Sequence, residues 1–375
     1  MKKTMKIVQM IFIFVSVSAI LVALYLQLPM FGKLPLGGRL ARIERSPNFR
    51  DGRFHNQSET PLMTGNPAST VLKFLWRSRR FLSDSGRRPK NKLPTIKTDL
   101  KNLGPQEDVL VWFGHSSYLI HLGGRNILVD PLFSRVSSPI LFFPKAFSGT
   151  EIYQQEDMPE IDYLIITHDH WDHLDYEALL KLAPKIRKII CGLGVGAHLE
   201  HWGFRRWQII EMDWNENISP ETGLVVHCLS ARHFSGRGIL RNRSLWASFL
   251  LKTEDFSLYI GGDGGYGPHF ADIGAKFGPI DLVILDSGQH DKNWKHVHMA
   301  TDEVVRAARD LRAKMLLPVH ICKISLANHG WKEPLVELSS LINGENFPLL
   351  TPIIGEKVNL RSRRQIFRRW WENCE

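Results

Sequence analysis

Residues 165–175 read IITHDHWDHLD and continue a hydrophobic run that begins at Tyr163. Such a run reads as a buried parallel strand, so the polar cluster falls where the strand leaves its sheet, the place where α/β proteins put chemistry. His168 and His170 are two apart and share one side of an extended backbone, so both imidazoles reach one ion. If the chain turns into a helix at the aspartate, as 176–183 suggests, Asp172 and His173 face a second point nearby. Two adjacent metal ions become possible.

The four cysteines (Cys191, Cys228, Cys322 and Cys374) show neither a C-x-x-C nor a regular spacing. A thiolate zinc site and a disulfide framework are therefore not suggested, and any metal is held by nitrogen and oxygen. The net charge of +10 points to an acidic partner: nucleic acid, anionic lipid or a phosphorylated small molecule.

Lys2, Lys3 and Lys6 precede an uncharged apolar run at 7–28, and a helix of about 20 such residues crosses a hydrocarbon core of about 30 Å. Residues 1–29 are read as an uncleaved single-pass membrane anchor. A cleaved signal peptide is the rival reading, but the run is long and ends in LQLPMF, without a small-x-small site. Charges on both flanks leave its orientation open. Residues 30–107 form a basic extension or linker rich in Pro and Gly, in which 69–82 (STVLKFLWRSRRFL) has the pattern of an amphipathic helix, whose cations read equally as a solvated charged face or as a rest on anionic headgroups.

The folded domain is expected over 108–360. VLVWFG, SSYLIHL and NILVDPLF read as strands, the last two joined across Gly123-Gly124 in a tight hairpin. Further strands are expected at KIICGL, QIIEMD, LVVHCLSARH, LWASFLLKT, FSLYIGGD, DLVILDSG and KMLLPVH, with helices near 176–182, 195–201, 301–311 and 334–341. This order suggests two mixed sheets packed face to face and covered by helices. The tail, 361–375, interleaves arginines with Phe367, Trp370 and Trp371, a pattern that suits a headgroup interface and also single-stranded nucleic acid. The anchor favours the former.

Four further strand ends carry polar residues that apolar patterning does not demand: Asp130, His233, Asp263 and His320. Three nitrogens hold one zinc at about 2.0–2.1 Å and leave a position open for water. Two such ions with a shared carboxylate hold a bridging hydroxide at neutral pH.

THDHWDHLD, followed in order by SARH, GGDGGY and LPVH, resembles the metallo-β-lactamase superfamily over about 108–360. Within it, VWFGHSSYLI, ILVDPLFS, LWASF, GGDGGYGPHFADIGAKFGPIDL and HMATDEVVRAARDL are similar to the N-acylphosphatidylethanolamine-hydrolysing phospholipase D family and its bacterial relatives. SPNFRDGRFHN at 46–56 looks like that family's N-terminal region. The resemblance implies an αββα sandwich with one metal on His168, His170 and His233, a second on Asp172, His173 and His320, and Asp263 bridging. Asp130 would orient a ligand. Asp172 and His298 are the implied catalytic residues, with His298 near the substrate phosphate, and His115 is a weaker site-lining candidate. The implied reaction is in-line attack by the bridging hydroxide on a lipid phosphodiester, with an N-acylethanolamine leaving and phosphatidic acid remaining. The departure LDSGQHDKNW makes Asp286, Gln289 and His290 a more polar pocket rim.

The ligand set suits two divalent ions, zinc best, and also accepts iron or manganese. A membrane lipid is the expected substrate and an anionic membrane surface the expected partner; nucleic acid is disfavoured. The alternatives are a lactonase or other carbonyl hydrolase related to the L-ascorbate 6-phosphate lactonase, a nuclease, and a membrane-bound metal-binding protein without turnover.

Overall fold

The computed structural model describes residues 2–64, 86–135, 137–139 and 144–375, so the amphipathic pattern at 69–82 lies outside the described residues. A seven-stranded sheet is built from β3 (Val109–Trp112), β4 (Tyr118–Leu122), β5 (Arg125–Val129), β6 (Ile161–Ile166), β7 (Ile186–Gly192), β8 (Ile209–Met212) and β15 (Lys357–Asn359), in the order β15-β3-β4-β5-β6-β7-β8. Its β15 to β5 half is antiparallel and its β5 to β8 half parallel. The second sheet has six strands in the order β14-β13-β12-β11-β10-β9, from β9 (Asn217–Glu221), β10 (Leu224–Leu229), β11 (Ser248–Lys252), β12 (Ser257–Ile260), β13 (Leu282–Asp286) and β14 (Leu316–Val319). Here β12, β13 and β14 run parallel and the rest antiparallel.

Strand alternation divides the apolar side chains between layers. Tyr163 and Ile165 of β6 enter the core between the sheets, whereas Leu164 and Ile166 face the outer layer of helices Tyr176–Leu182 and Gly196–His201. On the other sheet, Leu282 and Ile284 point inward, and Val283 and Leu285 pack under helices His269–Phe277, Thr301–Asp310 and Glu333–Leu341. Every such residue is shielded from water on both faces of its sheet, and the result is the four-layer αββα sandwich. The β4–β5 hairpin pairs Leu122 with Arg125 across Gly123 and Gly124, whose φ of 57° and 74° suit a primed turn that side chains rarely adopt.

Two stretches depart from the sequence reading. Much of 30–107 packs on the sandwich: Ile43 and Phe54 are buried in the inter-sheet core, and a short β1–β2 hairpin (Phe49–Arg50, Arg53–Phe54) turns at Asp51-Gly52. Arg39 holds Glu200 and Glu211, each at 2.6 Å. In the tail, Trp370 and Trp371 do not face outward. Both are buried in the inter-sheet core, and Lys332 Nζ donates to the carbonyls of Trp371 and Cys374. Indole rings find more apolar area there than an exposed tail offers.

Helix Lys2–Tyr25 contains a 23-residue span, Lys3–Tyr25, that is long and apolar enough to cross a membrane, and its most apolar stretch is not buried against the domain.

Candidate metal centre

The polar strand ends gather on one edge of the sandwich. Asp130 follows β5, the loop 167–175 follows β6, Asp263 follows β12, Asp286 ends β13 and His320 follows β14. His233 lies beyond β10 and His115 in the β3–β4 turn. The loop after β6 is a tight turn in which the His173 and Leu174 amides donate to His170 O at 3.1 and 2.8 Å. Asp175 then caps the next helix through Ala178 N at 3.2 Å, which places Asp172 and His173 in the turn just before that helix. Gly262 lets β12 come alongside: at its φ of 63°, a Cβ would lie 2.9 Å from Thr167 Cβ.

Three ring nitrogens converge first. His170 Nδ1 lies 2.9 Å from His168 Nε2 and 3.2 Å from His233 Nε2. Ligand atoms on a tetrahedral ion with bonds of about 2.0 Å stand about 3.3 Å apart, so this trio has the spacing of one ion's shell. A second group joins His115, Asp172, His173 and His320, with Asp172 Oδ2 at 3.4 Å from His320 Nε2 and 3.7 Å from His173 Nε2. Asp263 Oδ2 lies between the groups, 3.9 Å from His168 Nε2 and His233 Nε2, 3.1 Å from His173 Nε2 and 3.2 Å from His320 Nε2. One carboxylate thus faces both.

The far side of three of the rings is fixed by a hydrogen bond. His173 Nδ1 donates to Asp130 Oδ2 at 2.8 Å, His233 Nδ1 to Val297 O at 2.9 Å, and His320 Nδ1 to Asp286 Oδ1 at 3.2 Å. Each leaves Nε2 turned inward, the arrangement that sets tautomers around metals. His173 Nε2 and Asp263 Oδ1 are buried with no hydrogen-bond partner, a cost that a bound cation removes. The donor set therefore fits two divalent ions.

Electrostatics separates the groups. Burial, reinforced by neighbouring imidazoles, holds His168 and His233 well below the ordinary histidine value; burial also brings His170 down to about 4. These rings are neutral, the form that ligates. At His173 and His320 burial acts in the same direction but is outweighed by Asp263 and other carboxylates, so both are raised, His320 to about 10. Burial opposes ionisation of Asp172 and Asp263, yet the nearby histidines keep both well below the carboxylate range.

His115 is fully buried; its Nε2 donates to Asp172 Oδ2 at 2.9 Å and its ring packs 4.2 Å from that of His320. His298 Nδ1 donates to Asp286 Oδ2 at 2.7 Å, and its ring stacks on His320 at 5.1 Å. The sequence reading of Asp286 and Gln289 as a polar rim is corrected. Asp286 is buried and ties His298 to His320, and Gln289 is buried with its amide spanning the carbonyls of His320 and Ile324 and the amides of Leu326 and Ala327. Only His290 of the three is partly exposed, and it stacks on His329 at 4.7 Å. His115, Asp130, Gln289, His320 and Cys322 all have positive φ, so backbone strain is concentrated around this edge.

Two contributors escape the sequence reading. Asn56 brackets His233, its Nδ2 donating to His233 O at 2.7 Å and its Oδ1 accepting from His233 N at 3.1 Å. Arg237 donates to the carbonyls of Asp169 and Leu174 at 3.0 and 2.7 Å and to Met30 O at 2.9 Å. The conspicuous 46–56 stretch, which ends at Asn56, was the available signal for the first; none marked the second.

Comparison with known proteins matches residues 125–321 to the family described as "Beta-lactamase superfamily domain". An uncharacterized protein of Mycobacterium bovis is 34% identical over 333 residues, 88% of each chain. The N-acyl-phosphatidylethanolamine-hydrolyzing phospholipase D 1 of Caenorhabditis elegans is 29% identical over 223 residues, 56% of this chain and 62% of that protein. Among solved structures, CmlA, a diiron β-hydroxylase from Streptomyces venezuelae, superposes with a TM-score of 0.51 at 20% identity, over 68% of this chain and 55% of that one. The matched region contains His168, His170, Asp172, His173, His233, Asp263 and His320, and the chain belongs to the β-lactamase superfamily, as a metal-dependent hydrolase of the metallo-β-lactamase fold.

Proposed function

We propose that the chain is a dinuclear-metal phosphodiesterase of phospholipase D type, acting on N-acylphosphatidylethanolamine-like membrane lipids. The observation that carries the dinuclear reading is Asp263 Oδ2, shared between His168 and His233 on one side and His173 and His320 on the other. Two divalent ions held there supply a hydroxide nucleophile at neutral pH and neutralise the oxygens of the group attacked. Imidazole and carboxylate donors suit zinc best.

His168, His170 and His233 form one ligand set, Asp172, His173 and His320 the other, and Asp130 holds His173 in register. His115 keeps Asp172 turned inward. His298, with Nδ1 committed to Asp286, has Nε2 left for the substrate phosphate and for proton delivery to the departing alcohol. Attack at phosphorus breaks its bond to the ethanolamine oxygen; N-acylethanolamine leaves and phosphatidic acid remains.

The lipid half of the reading is supported by the similarity to the Caenorhabditis elegans phospholipase and by the apolar helix, beyond whose end Phe31 packs 5.1 Å from Trp171 in the ligand loop. The purified full chain, assayed in mixed micelles on N-acylated phosphatidylethanolamine beside a phosphorylated sugar lactone, separates the substrates. Release of N-acylethanolamine, abolished by His170→Ala, is expected; lactone opening alone would discard the lipid.

A further inference from the structure

Where the apolar helix meets the domain there is a cavity of about 430 Å³, within the range of small-molecule sites, about 300–1,000 Å³. One wall is the chain leaving the helix, with Leu26, Phe31, Leu34 and Leu36. The other is the loop that follows His233, with Ile239 and Leu240. These are unusual residues to leave in water: Ile239 is 77% exposed, Leu36 69% and Leu240 51%. An apolar patch of this kind on a folded domain marks an interaction surface.

The position of the patch indicates what covers it. A helix of 24 residues spans about 36 Å at about 1.5 Å per residue, enough for a hydrocarbon core of about 30 Å, so the residues just after it fall at the headgroup level. Lys33 and Arg243 line the same cavity and supply cationic charge at that level. Asp169, the one acidic residue in the lining, has both oxygens occupied, Oδ1 by Gly236 N at 2.6 Å and Oδ2 by Ser244 Oγ at 2.5 Å and His198 Nε2 at 3.2 Å. It lies between His168 and His170, so the cavity backs onto the ligand loop.

We propose that this groove binds one acyl chain of a membrane phospholipid, with Lys33 and Arg243 beside its phosphate. The inference rests on the helix being seated in a bilayer and is independent of which bond the metal site breaks. Apolar walls exclude water along the chain, and the loop 236–240 is tied to the ligand loop by Gly236 N, which donates to Asp169 Oδ1 at 2.6 Å.

The test uses the full chain in phosphatidylcholine nanodiscs containing a phosphatidylethanolamine with a diazirine on its acyl chain; adducts formed on irradiation are mapped by mass spectrometry. Adducts are expected at Leu34, Ile239 and Leu240 in the unaltered chain. They should fall by about tenfold or more, the equivalent of one decade in affinity, in the Ile239→Asp, Leu240→Asp double variant. Leu341→Asp, on the exposed face of helix Glu333–Leu341, should leave the yield unchanged. Adducts confined to 2–25, or groove labelling that survives in the double variant, would overturn the proposal, and the mapping of the unaltered chain decides it even if the variant misfolds. A chain that labels at the groove yet opens only lactones would refute the lipid phosphodiesterase and leave this site standing.

Discussion

Asp130 sits at a φ of 39°, a left-handed backbone that costs about 1–3 kcal/mol where a side chain must adopt it. The strain places its carboxylate to accept from Thr167 N at 2.9 Å, Thr167 Oγ1 at 2.6 Å and His173 Nδ1 at 2.8 Å. Removing such an orienting partner weakens metal affinity by about 10–100-fold, the loss expected for Asp130→Ala at the His173 site. Chelator competition measures it, and unchanged affinity would show that the bond orients nothing. The pH dependence differs between the two sites. His173 and His320, raised by their carboxylates, carry protons at neutral pH until an ion takes Nε2, whereas His168, His170 and His233 are already neutral. Filling the second site should therefore release protons, and its affinity should rise with pH from 7 towards the His320 value of about 10, while the first site changes little. Calorimetry in buffers of different ionisation enthalpy reads the release; two sites with the same proton count would contradict it. At this scale the ligand histidines were legible because polar side chains at apolar strand ends need a reason. Asp286 was not, since an aspartate near a pocket mouth and one buried between two imidazoles look alike in one dimension.

Arg237 joins elements that are far apart in the chain. Its buried guanidinium bonds to Asp169 O and Leu174 O on the ligand loop and to Met30 O beyond the apolar helix, and it lies 4.1 Å from the Trp171 ring centroid. Burial lowers its pKa to about 10, so it remains charged at neutral pH. Hydrogen bonds to charged groups contribute about 1.5–3 kcal/mol, and unpaired buried carbonyls add a penalty. Arg237→Met should lower stability by about 2–4 kcal/mol in urea unfolding, and a midpoint equal to that of the unaltered chain would show that the clamp is redundant. Strands rich in Val, Ile and Leu were legible. Less so was β9, an edge strand interrupted by Pro220, where a missing donor is tolerated. Helix Gly37–Ile43 begins with two poor helix formers and is held by the Arg39 ion pairs, which local propensity does not reveal.

Across the whole molecule, folding brings Asp172 to 3.4 Å from His320 although 148 positions separate them, because both parallel strand blocks end at the same edge of the sandwich. The αββα architecture was legible from the alternation of strands and helices. The fate of Trp370 and Trp371 was not: a basic aromatic tail has the same composition whether its rings face lipid or fill a core, and only the closed sandwich supplies the core. The shared carboxylate of Asp263 is what makes this edge one centre instead of two separate sites, and metal content tests it directly. The purified full chain, loaded and then dialysed against weak chelator, should retain two divalent ions per chain by elemental analysis, and Asp263→Ala should lose at least one of them. A single ion in the unaltered chain, or two ions undiminished in the folded Asp263→Ala variant, would contradict a bridged dinuclear centre.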